Sequence, residues 1–359
     1  MNTWKRLLVP LICVKDIVPG AKPAYDQSPA RATPSPLATL GHVHATSTVQ
    51  TASDPVVKGP NPTPPDSRSF SRAFADIRDG FTQRELWSHL GWQDIKQRYR
   101  RSVIGPFWIT ISQGVISLGL GLLYSQLFGL HITTFLPYIS TGFIVWGFIS
   151  GCLSEGMESF IANEGLIKQI RAPLTVYALR TVWRQTLMFA HNLIVVVIID
   201  AIFFTSLNHS YGLNSGVCEP DVICHPGFGW YSLSAIPAFV LLAFNAWWVT
   251  LLLGIISTRY RDIPQVINSL IQLLFYMTPI VWPIDQLYGH GARAEMASWV
   301  VPIVHLNPFY HFVQILRAPL IGQAVNPWSW VVVGGITIVG WLLALVAMRN
   351  YRARVSYWV

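Results

Sequence analysis

Long stretches without charged residues alternate with short segments rich in Lys and Arg from residue 107 onward. A helix needs roughly 20 residues to cross a hydrocarbon core of about 30 Å, because each residue rises about 1.5 Å. Six stretches reach that length, and only the third contains a charge, Asp200; they are 107–130, 135–154, 185–207, 231–258, 263–284 and 326–348. The pattern predicts an all-α polytopic membrane protein with six transmembrane helices.

A seventh uncharged stretch, 296–316, competes with these six. Lys and Arg remain on the cytoplasmic side of short loops, so their distribution indicates which stretches cross the membrane. Six spans with both termini in the cytoplasm leave Arg293 and Arg317 outside; the inner flanks hold Lys96, Arg98, Arg100, Arg101, Lys168, Arg171, Arg180, Arg184, Arg259, Arg261, Arg349, Arg352 and Arg354. A seventh span would break this asymmetry, and two prolines would interrupt its helix. We therefore expect short re-entrant helices between spans five and six.

An apolar stripe precedes the first span, with Trp92, Ile95, Tyr99 and Val103 at helical spacing. Charged residues occupy the other positions, which predicts an amphipathic helix lying in the cytoplasmic headgroup layer. An ordinary positively charged flank is the alternative, although it does not explain the stripe. Gly105-Pro106 would end the helix and let the chain turn into the membrane.

The first 66 residues hold 11 of the 24 prolines and only two of the 46 aromatic residues. Such a composition buries too little apolar surface to offset the entropy of ordering, so we expect a disordered tail. Its first residues partly resemble a signal peptide but lack a cleavage site, which favours a plain extension. The expected organisation is this tail, a linker with the interfacial helix at 67–106, the permease domain at 107–348 and a short basic cytoplasmic end at 349–359.

Composition agrees with a membrane protein, since 52% of the residues are hydrophobic and only 12% are charged. The net charge of +8 does not indicate nucleic-acid binding, because Lys and Arg are scattered between uncharged runs rather than gathered on one surface.

Four motifs occur in order along the chain: YRRSVIGPFW at 99–108, GLIKQIRAP at 165–173, RYRDIP at 259–264 and LNPFY at 306–310. Together they resemble the membrane subunit of type-2 ABC exporters, in particular permeases that export O-antigen, capsular polysaccharide, teichoic acid or galactan precursors. The resemblance runs from about residue 80 onward. It implies a homodimer in the bacterial inner membrane that serves lipopolysaccharide or related glycan biosynthesis and rests on two separate ATPase subunits.

The sequence contains no recognisable ATP-binding motif. A P-loop needs Gly-Lys followed by Ser or Thr, and none of the six lysines follows a glycine. We expect no catalytic residue, cofactor or metal on this chain, and the resemblance implies that ATP and Mg²⁺ are bound by the partner ATPase.

The segment 163–173 lies between spans two and three, where Ile167, Ile170 and Leu174 have the spacing of one helical face. The resemblance implies that this segment is a coupling helix that contacts the ATPase, and a plain surface connector is the alternative. Its candidate contact residues are Asn163, Leu166, Ile167, Lys168, Ile170 and Arg171.

Arg180 and Arg184 are four residues apart and so share a helical face. Guanidinium groups bind phosphate oxygens bidentately, so these residues are candidate contacts for a lipid pyrophosphate, together with Arg98, Arg100 and Arg101. Snorkelling to lipid headgroups is the favoured alternative for all five.

Aromatic residues in the spans are candidates for lining a glycan channel, a role that the resemblance implies: Phe107, Trp108, Tyr124, Phe128, Trp146, Phe275 and Tyr276. Anchoring at the membrane interface is the alternative. Gly147 and Gly151 would allow close helix approach, either in a dimer or within one protomer. The resemblance also implies an exit gate after the fifth span, for which the candidates are Trp299, His305, Asn307, Pro308 and Phe309.

Two alternatives to an exporter are a gradient-driven carrier and a membrane enzyme that acts on lipid-linked sugars. The sequence disfavours the carrier because few ionisable groups lie within the spans. Glu155, Glu158 and Glu164 are the only candidate catalytic cluster for the enzyme.

Cys218 and Cys224 lie in one predicted outer loop. The sequence leaves open whether they form a disulfide or remain free thiols. Together with His209 and His225 they fit no spacing pattern of a zinc site.

Overall fold

A computed structural model describes residues 68–100, 102, 104–105, 107–170, 172–213, 216–218, 223–287 and 292–359. The predicted tail, and with it the start of the predicted linker, lies outside these residues, as do Arg101, Val103, Pro106 and Arg171. The described part is helical and contains no strand beyond one isolated bridge between Tyr211 and His225. Its α-helices are α1 (Phe70–Thr82), α2 (Arg84–Arg98), α3 (Phe107–Phe128), α4 (Ile132–Glu158), α5 (Glu164–Gln169), α6 (Leu174–Ile202), α7 (Phe204–Leu207), α8 (Ala235–Arg259), α9 (Ile263–Met277), α10 (Ala292–Leu306), α11 (Pro308–Leu320) and α12 (Pro327–Trp358).

Five helical segments in the described residues are long and apolar enough to cross a membrane. They are α3, α4, α6, the segment Trp230–Arg259 that contains α8, and α12. They correspond to five of the six predicted spans. The remaining one, predicted at 263–284, is the shorter apolar helix α9 of 15 residues, which extends only about 22 Å. The chain then leaves the helix at Thr278.

Helix α4 is the centre of the bundle and packs against α3, α6, α8, α9 and α11. Small residues allow these neighbours to approach closely. A Cβ at Gly156 would lie 3.0 Å from Oγ1 of Thr250 on α8, and one at Gly151 would lie 2.5 Å from Oε1 of Gln185 on α6. Gly151 therefore serves packing within one protomer, while Gly147 has open space beside it.

Helix α6 begins eleven residues before the predicted third span, directly after Pro173. Arg180 and Arg184 consequently lie within this helix, at the four-residue spacing that the sequence predicted for one helical face. The predicted third span is therefore part of a longer helix, because paired arginines are tolerated in the partly buried end of a helix.

Two helices, rather than one, precede the first span. The predicted apolar stripe does not form a single exposed face of α2: Ile95 is buried against the protein, Trp92 is exposed, and Tyr99 lies beyond the last helical residue. Helix α2 packs on α6, and α1 packs on α6 and α12. Gly105 has a positive φ of 63°, consistent with the predicted break before the first span.

The predicted short helices after the fifth span are present as α10 and α11, which meet at Asn307. Their position within the membrane stays a prediction. Helix α12 continues without interruption from the predicted last span into residues 349–358. It packs against α8, α11 and α1, so its final turns belong to the folded bundle.

Candidate coupling and translocation site

One end of the bundle carries most of the arginines, and we refer to it as the basic end. It comprises α1, α2 and α5, the last turns of α4, α8 and α12, and the first turns of α6. The opposite end contains α10, α11 and the segment between α7 and α8.

Three helices are joined at the basic end by an ion-pair cluster, the Asp94 cluster, which consists of Asp94, Glu155, Arg180 and Arg184. Arg180 donates to Asp94 through Nε (2.8 Å) and Nη2 (2.5 Å). Arg184 donates to Asp94 through Nη1 (2.8 Å) and to Oε2 of Glu155 through Nε (3.0 Å) and Nη2 (2.6 Å). The side chains of both arginines are only 16–17% exposed, so screening by water is reduced.

Burial raises the pKa of Asp94, but the hydrogen bonds and positive charges of Arg180 and Arg184 outweigh that effect. The pKa of this carboxyl therefore lies below its ordinary value, and Asp94 is ionised at neutral pH.

Arg180 and Arg184 are therefore paired with carboxylates of the protein itself, and their contact with a lipid phosphate stays a prediction. Nη1 of Arg180 also donates to Oδ1 of Asn163 (2.6 Å). Each nitrogen of both guanidinium groups therefore makes a hydrogen bond within the protein. Sequence analysis missed Asp94 and Glu155 as their partners, since α2 and α4 are distant in the chain.

Arg98 and Arg100 remain exposed at the end of α2. Arg98 donates to Oε1 of Glu155 over 3.3 Å with half of its side chain exposed, a geometry that contributes little stability. A cavity of about 230 Å³ begins beside this pair and extends between α3, α4 and α6 towards Asn192. Among the described candidates for contact with an anionic headgroup, these two arginines are the exposed ones.

A second carboxylate, Asp76 on α1, organises the basic end although the sequence did not single it out. It is buried and accepts hydrogen bonds from the backbone N–H groups of Leu174 (3.3 Å) and Thr175 (3.1 Å), at the start of α6. A carboxylate at a helix N-terminus satisfies otherwise unpaired donors and offsets the helix dipole. Arg352 of α12 completes the site by donating to Asp76 over 3.3 Å. No local sequence signal identifies Asp76, because its partners are about 100 and 280 residues away.

The predicted coupling segment folds as a short 3₁₀ turn (Ile161–Asn163) followed by α5. The helix ends at Gln169 and Ile170 is extended, so Ile167, Ile170 and Leu174 do not share one helical face as predicted. Leu166 and Ile167 instead pack against the core, and Ile170 is exposed.

Contacts at both ends tie the coupling segment to the bundle. Asn163 donates to the carbonyl of Ser159 (2.7 Å) while accepting from Arg180. Lys168 bonds Glu164 (2.6 Å), which lowers the pKa of that exposed carboxyl, and it also donates to the main-chain oxygen of Val359 (3.2 Å). Displacement of α5 would therefore be transmitted directly to α6 and α12.

The aromatic candidates for a channel divide into exposed and buried groups. Phe107, Trp108 and Tyr276 are 53%, 57% and 73% exposed on α3 and α9. Trp146 on α4 is buried, with its ring centroid 5.9 Å from that of Phe275. The remaining two candidates, Tyr124 and Phe128, stack on each other along α3.

The gate candidates lie around the junction of α10 and α11. Asn307 caps α11 by accepting from the N–H of Phe309 (3.0 Å), and it donates to Oγ1 of Thr278 (2.9 Å), immediately after α9. Pro308 occupies the first helical position, which suits its missing N–H. Phe309 contacts Trp146 edge to face at 5.7 Å between ring centroids. The gate candidates thus connect α9, α11 and the buried aromatic residues of α4.

His305 and Trp299 occupy different environments. The ring of His305 stacks on Tyr310, and its carbonyl accepts from His311 (2.8 Å). Trp299 is 61% exposed on α10 and does not join this cluster.

Arg317 on α11 also belongs to this region. The sequence analysis assigned it only to the outer side of the membrane, from the distribution of charges. It is fully buried, lies 4.0 Å from the ring centroid of Tyr138 and donates to the carbonyl of Pro279 (2.7 Å). It therefore anchors the segment after α9 against α4 and α11.

The segment between α7 and α8 contains a disulfide between Cys218 and Cys224, which answers the question the sequence left open. His225 pairs with Asp285 over 2.9 Å. Among the described residues, no three His, Cys, Asp or Glu side chains are grouped to hold a metal ion.

The chain is similar in sequence to known transport proteins over most of its length. The family model described as "ABC-2 type transporter" matches residues 85–321, about two thirds of the chain. An O-antigen export system permease protein RfbA from Klebsiella pneumoniae is 22% identical over 263 residues, which cover 72% of this chain and 88% of that protein. A protein of the same name from Myxococcus xanthus is 22% identical over 235 residues, covering 65% and 82%.

Proposed function

Because this chain belongs to the ABC-2 type transporter family and is the membrane subunit of a type-2 ABC exporter, we propose that it exports a lipid-linked polysaccharide across the bacterial plasma membrane. The observation that carries this proposal is the similarity to O-antigen export permeases over 88% of the length of one of them. The substrate class is an O-antigen, capsule, teichoic acid or galactan type of glycan on a pyrophosphate lipid.

The proposed topology has six spans and both termini in the cytoplasm. The fifth crossing consists of α9 together with the residues that follow it, because α9 alone is shorter than a hydrocarbon core of about 30 Å. The basic end then faces the cytoplasm, as the positive-inside rule requires. Helices α10 and α11 lie near the outer surface and close the exit.

Two copies of the chain form the conduit in this proposal. Helices α3 and α9 are the least enclosed of the apolar helices, with long exposed runs of side chains. They supply the contact with the second copy and, through Phe107, Trp108 and Tyr276, aromatic faces on which sugar rings stack. A pyrophosphate head cannot cross hydrocarbon unaided, since burial of an unpaired charge is very unfavourable.

The energy comes from a separate ATPase subunit that binds ATP and Mg²⁺. Its closure on ATP pushes α5, and the bonds of Asn163 to Ser159 and Arg180 carry that movement to α4, α6 and, through Asp94, to α2. Arg98 and Arg100 receive the lipid phosphate at the cytoplasmic surface beside the cavity between α3, α4 and α6.

Reconstitution tests this function directly. The chain is purified with its proposed ATPase partner, placed in liposomes and supplied with a polyprenyl-pyrophosphate-linked glycan. We expect the glycan to stimulate ATP turnover and to become accessible on the far side, and Arg98→Gln/Arg100→Gln to weaken the stimulation. Deletion of the gene should remove surface polysaccharide and accumulate lipid-linked intermediates inside. Chemical conversion of the glycan without an ATPase, or transport driven by an ion gradient alone, would overturn the proposal.

A further inference from the structure

A cavity of about 670 Å³ lies at the basic end between α8 and α12, away from the residues to which the proposed function assigns a role. Its rim consists of two arginines and four aromatic residues: Arg259, Arg354, Tyr260, Tyr351, Tyr357 and Trp358. Its apolar floor contains Ile255 and Ile256, one turn earlier in α8. None of its walls comes from α3 or α9.

The charge of the cavity selects an anion. Two guanidinium groups line it, and no carboxylate is among the described residues of its walls. The Arg259 guanidinium carbon lies 5.4 Å from the ring centroid of Trp358 and 5.9 Å from that of Tyr260. Contacts with ring faces hold the guanidinium group without using its in-plane N–H donors, which therefore remain able to bind phosphate oxygens.

The position of the cavity favours binding of an amphiphile over binding of a soluble anion. Ile255 and Ile256 belong to the apolar part of a membrane-spanning helix, whereas Arg259 is the last residue of that helix. Tyr and Trp side chains with Arg at this level are typical of the layer in which lipid headgroups lie. A phosphate at the rim would leave its acyl chains beside the isoleucines.

We propose that this cavity binds the phosphate headgroup of an anionic phospholipid from the surrounding leaflet. Basic pockets between transmembrane helices are a known means of holding such headgroups. The lipid would bridge α8 and α12 next to the bond from Arg261 to the main-chain oxygen of Trp358 (3.4 Å). It would thereby hold the end of α12 against the segment that connects α8 to α9. None of the described residues that line this site belongs to α3, α5 or α9.

Thermal unfolding of the delipidated full-length chain in mild detergent tests the proposal. Phosphatidylglycerol and phosphatidylcholine with identical acyl chains are added to the wild type, to Arg259→Gln/Arg354→Gln and to Arg78→Gln/Arg84→Gln. All four side chains are exposed, and the control pair removes the same charge from α1 and α2, outside the cavity. We expect phosphatidylglycerol to raise the Tm of the wild type and the control by several degrees more than phosphatidylcholine does. The cavity variant should lose most of that difference.

Native mass spectrometry supplies a second measurement if the double variant is unstable. Arg354→Gln alone should retain less phosphatidylglycerol per chain than the wild type or Arg78→Gln. Equal retention, or equal stabilisation of the cavity variant, would overturn the proposal. It would also be overturned if glycerol 3-phosphate reproduced the stabilisation, or if only a polyprenyl pyrophosphate did so. These measurements use neither ATPase nor glycan, so a failure of the export proposal would not affect their outcome.

Discussion

Arg180 on α6 holds both carboxylate oxygens of Asp94 on α2, through Nε at 2.8 Å and Nη2 at 2.5 Å. This bidentate pair connects the helix that precedes the first span to the helix that the coupling segment enters. The third nitrogen of Arg180, Nη1, donates to Oδ1 of Asn163 in the coupling segment. One guanidinium group therefore joins α2, α6 and the coupling segment.

Replacement of Asp94 by Asn should destabilise the protein strongly. The change removes the charge that balances two arginines with side chains only 16–17% exposed, and loss of one partner from such a pair costs about 3 kcal/mol. Unfolding of the chain in mild detergent measures the effect. Asp79→Asn, at an exposed position on α1, is the matched control and should change stability by less than about 0.5 kcal/mol. Similar effects of the two substitutions would contradict the role of the cluster.

The Asp94 cluster should also make stability depend on acidity. The folded pKa of Asp94 is depressed, so its stabilisation is complete above its unfolded pKa of about 3.9 and is lost as the pH falls through the folded value. Tm values measured from pH 6 down to about pH 2.5 should fall less steeply for Asp94→Asn than for the wild type. Parallel curves would show that this carboxyl does not contribute.

Replacement of Asp76 by Ala should loosen the start of α6. The variant loses the acceptor of the Leu174 and Thr175 N–H groups and the partner of Arg352, which we expect to cost about 1–3 kcal/mol. Hydrogen exchange should accelerate at those two amides more than in the middle of α6. Asp79→Ala on the same helix is the control and should leave this exchange unchanged. Uniform acceleration along α6 would indicate general unfolding instead.

Replacement of Asn163 by Ala should uncouple ATP hydrolysis from transport in the proposed complex. The variant keeps α5 but loses the contact between the coupling segment and Arg180. We expect the ATPase to remain bound while stimulation of its turnover by the lipid-linked glycan falls several-fold. Gln169→Ala, at the exposed end of α5, should behave like the wild type. Loss of binding together with stimulation would indicate that Asn163 contacts the ATPase directly.

Replacement of Asn307 by Ala should weaken the junction between α10 and α11. The substitution removes the helix cap to Phe309 and the bond to Thr278, an effect of about 1–2 kcal/mol. Thr278→Val removes only the second contact and should have a smaller effect. A double-mutant cycle on unfolding in detergent separates the two contributions. A coupling energy of zero would show that the bond to Thr278 contributes nothing.

Much of the architecture follows from the sequence because its causes are local. The length of an uncharged run determines whether a helix spans a membrane, and five of the six predicted spans meet that criterion in the structure. Of the two prolines expected to interrupt 296–316, Pro308 begins a new helix, whereas Pro302 lies inside α10. The four motifs led to the family that the comparisons then showed.

The partners of individual charged residues could not be predicted from the sequence in this way. Arg180 and Arg184 have the spacing of a phosphate site, yet Asp94 and Glu155 occupy their donors. Asp76 carries no local signal, since it caps a helix that begins 98 residues later. The sequence by itself determined which segments are helical and apolar, because that depends on neighbours along the chain. Only the tertiary structure decided which charges are paired and which remain exposed, because ion pairs depend on distances between helices that are far apart in the sequence.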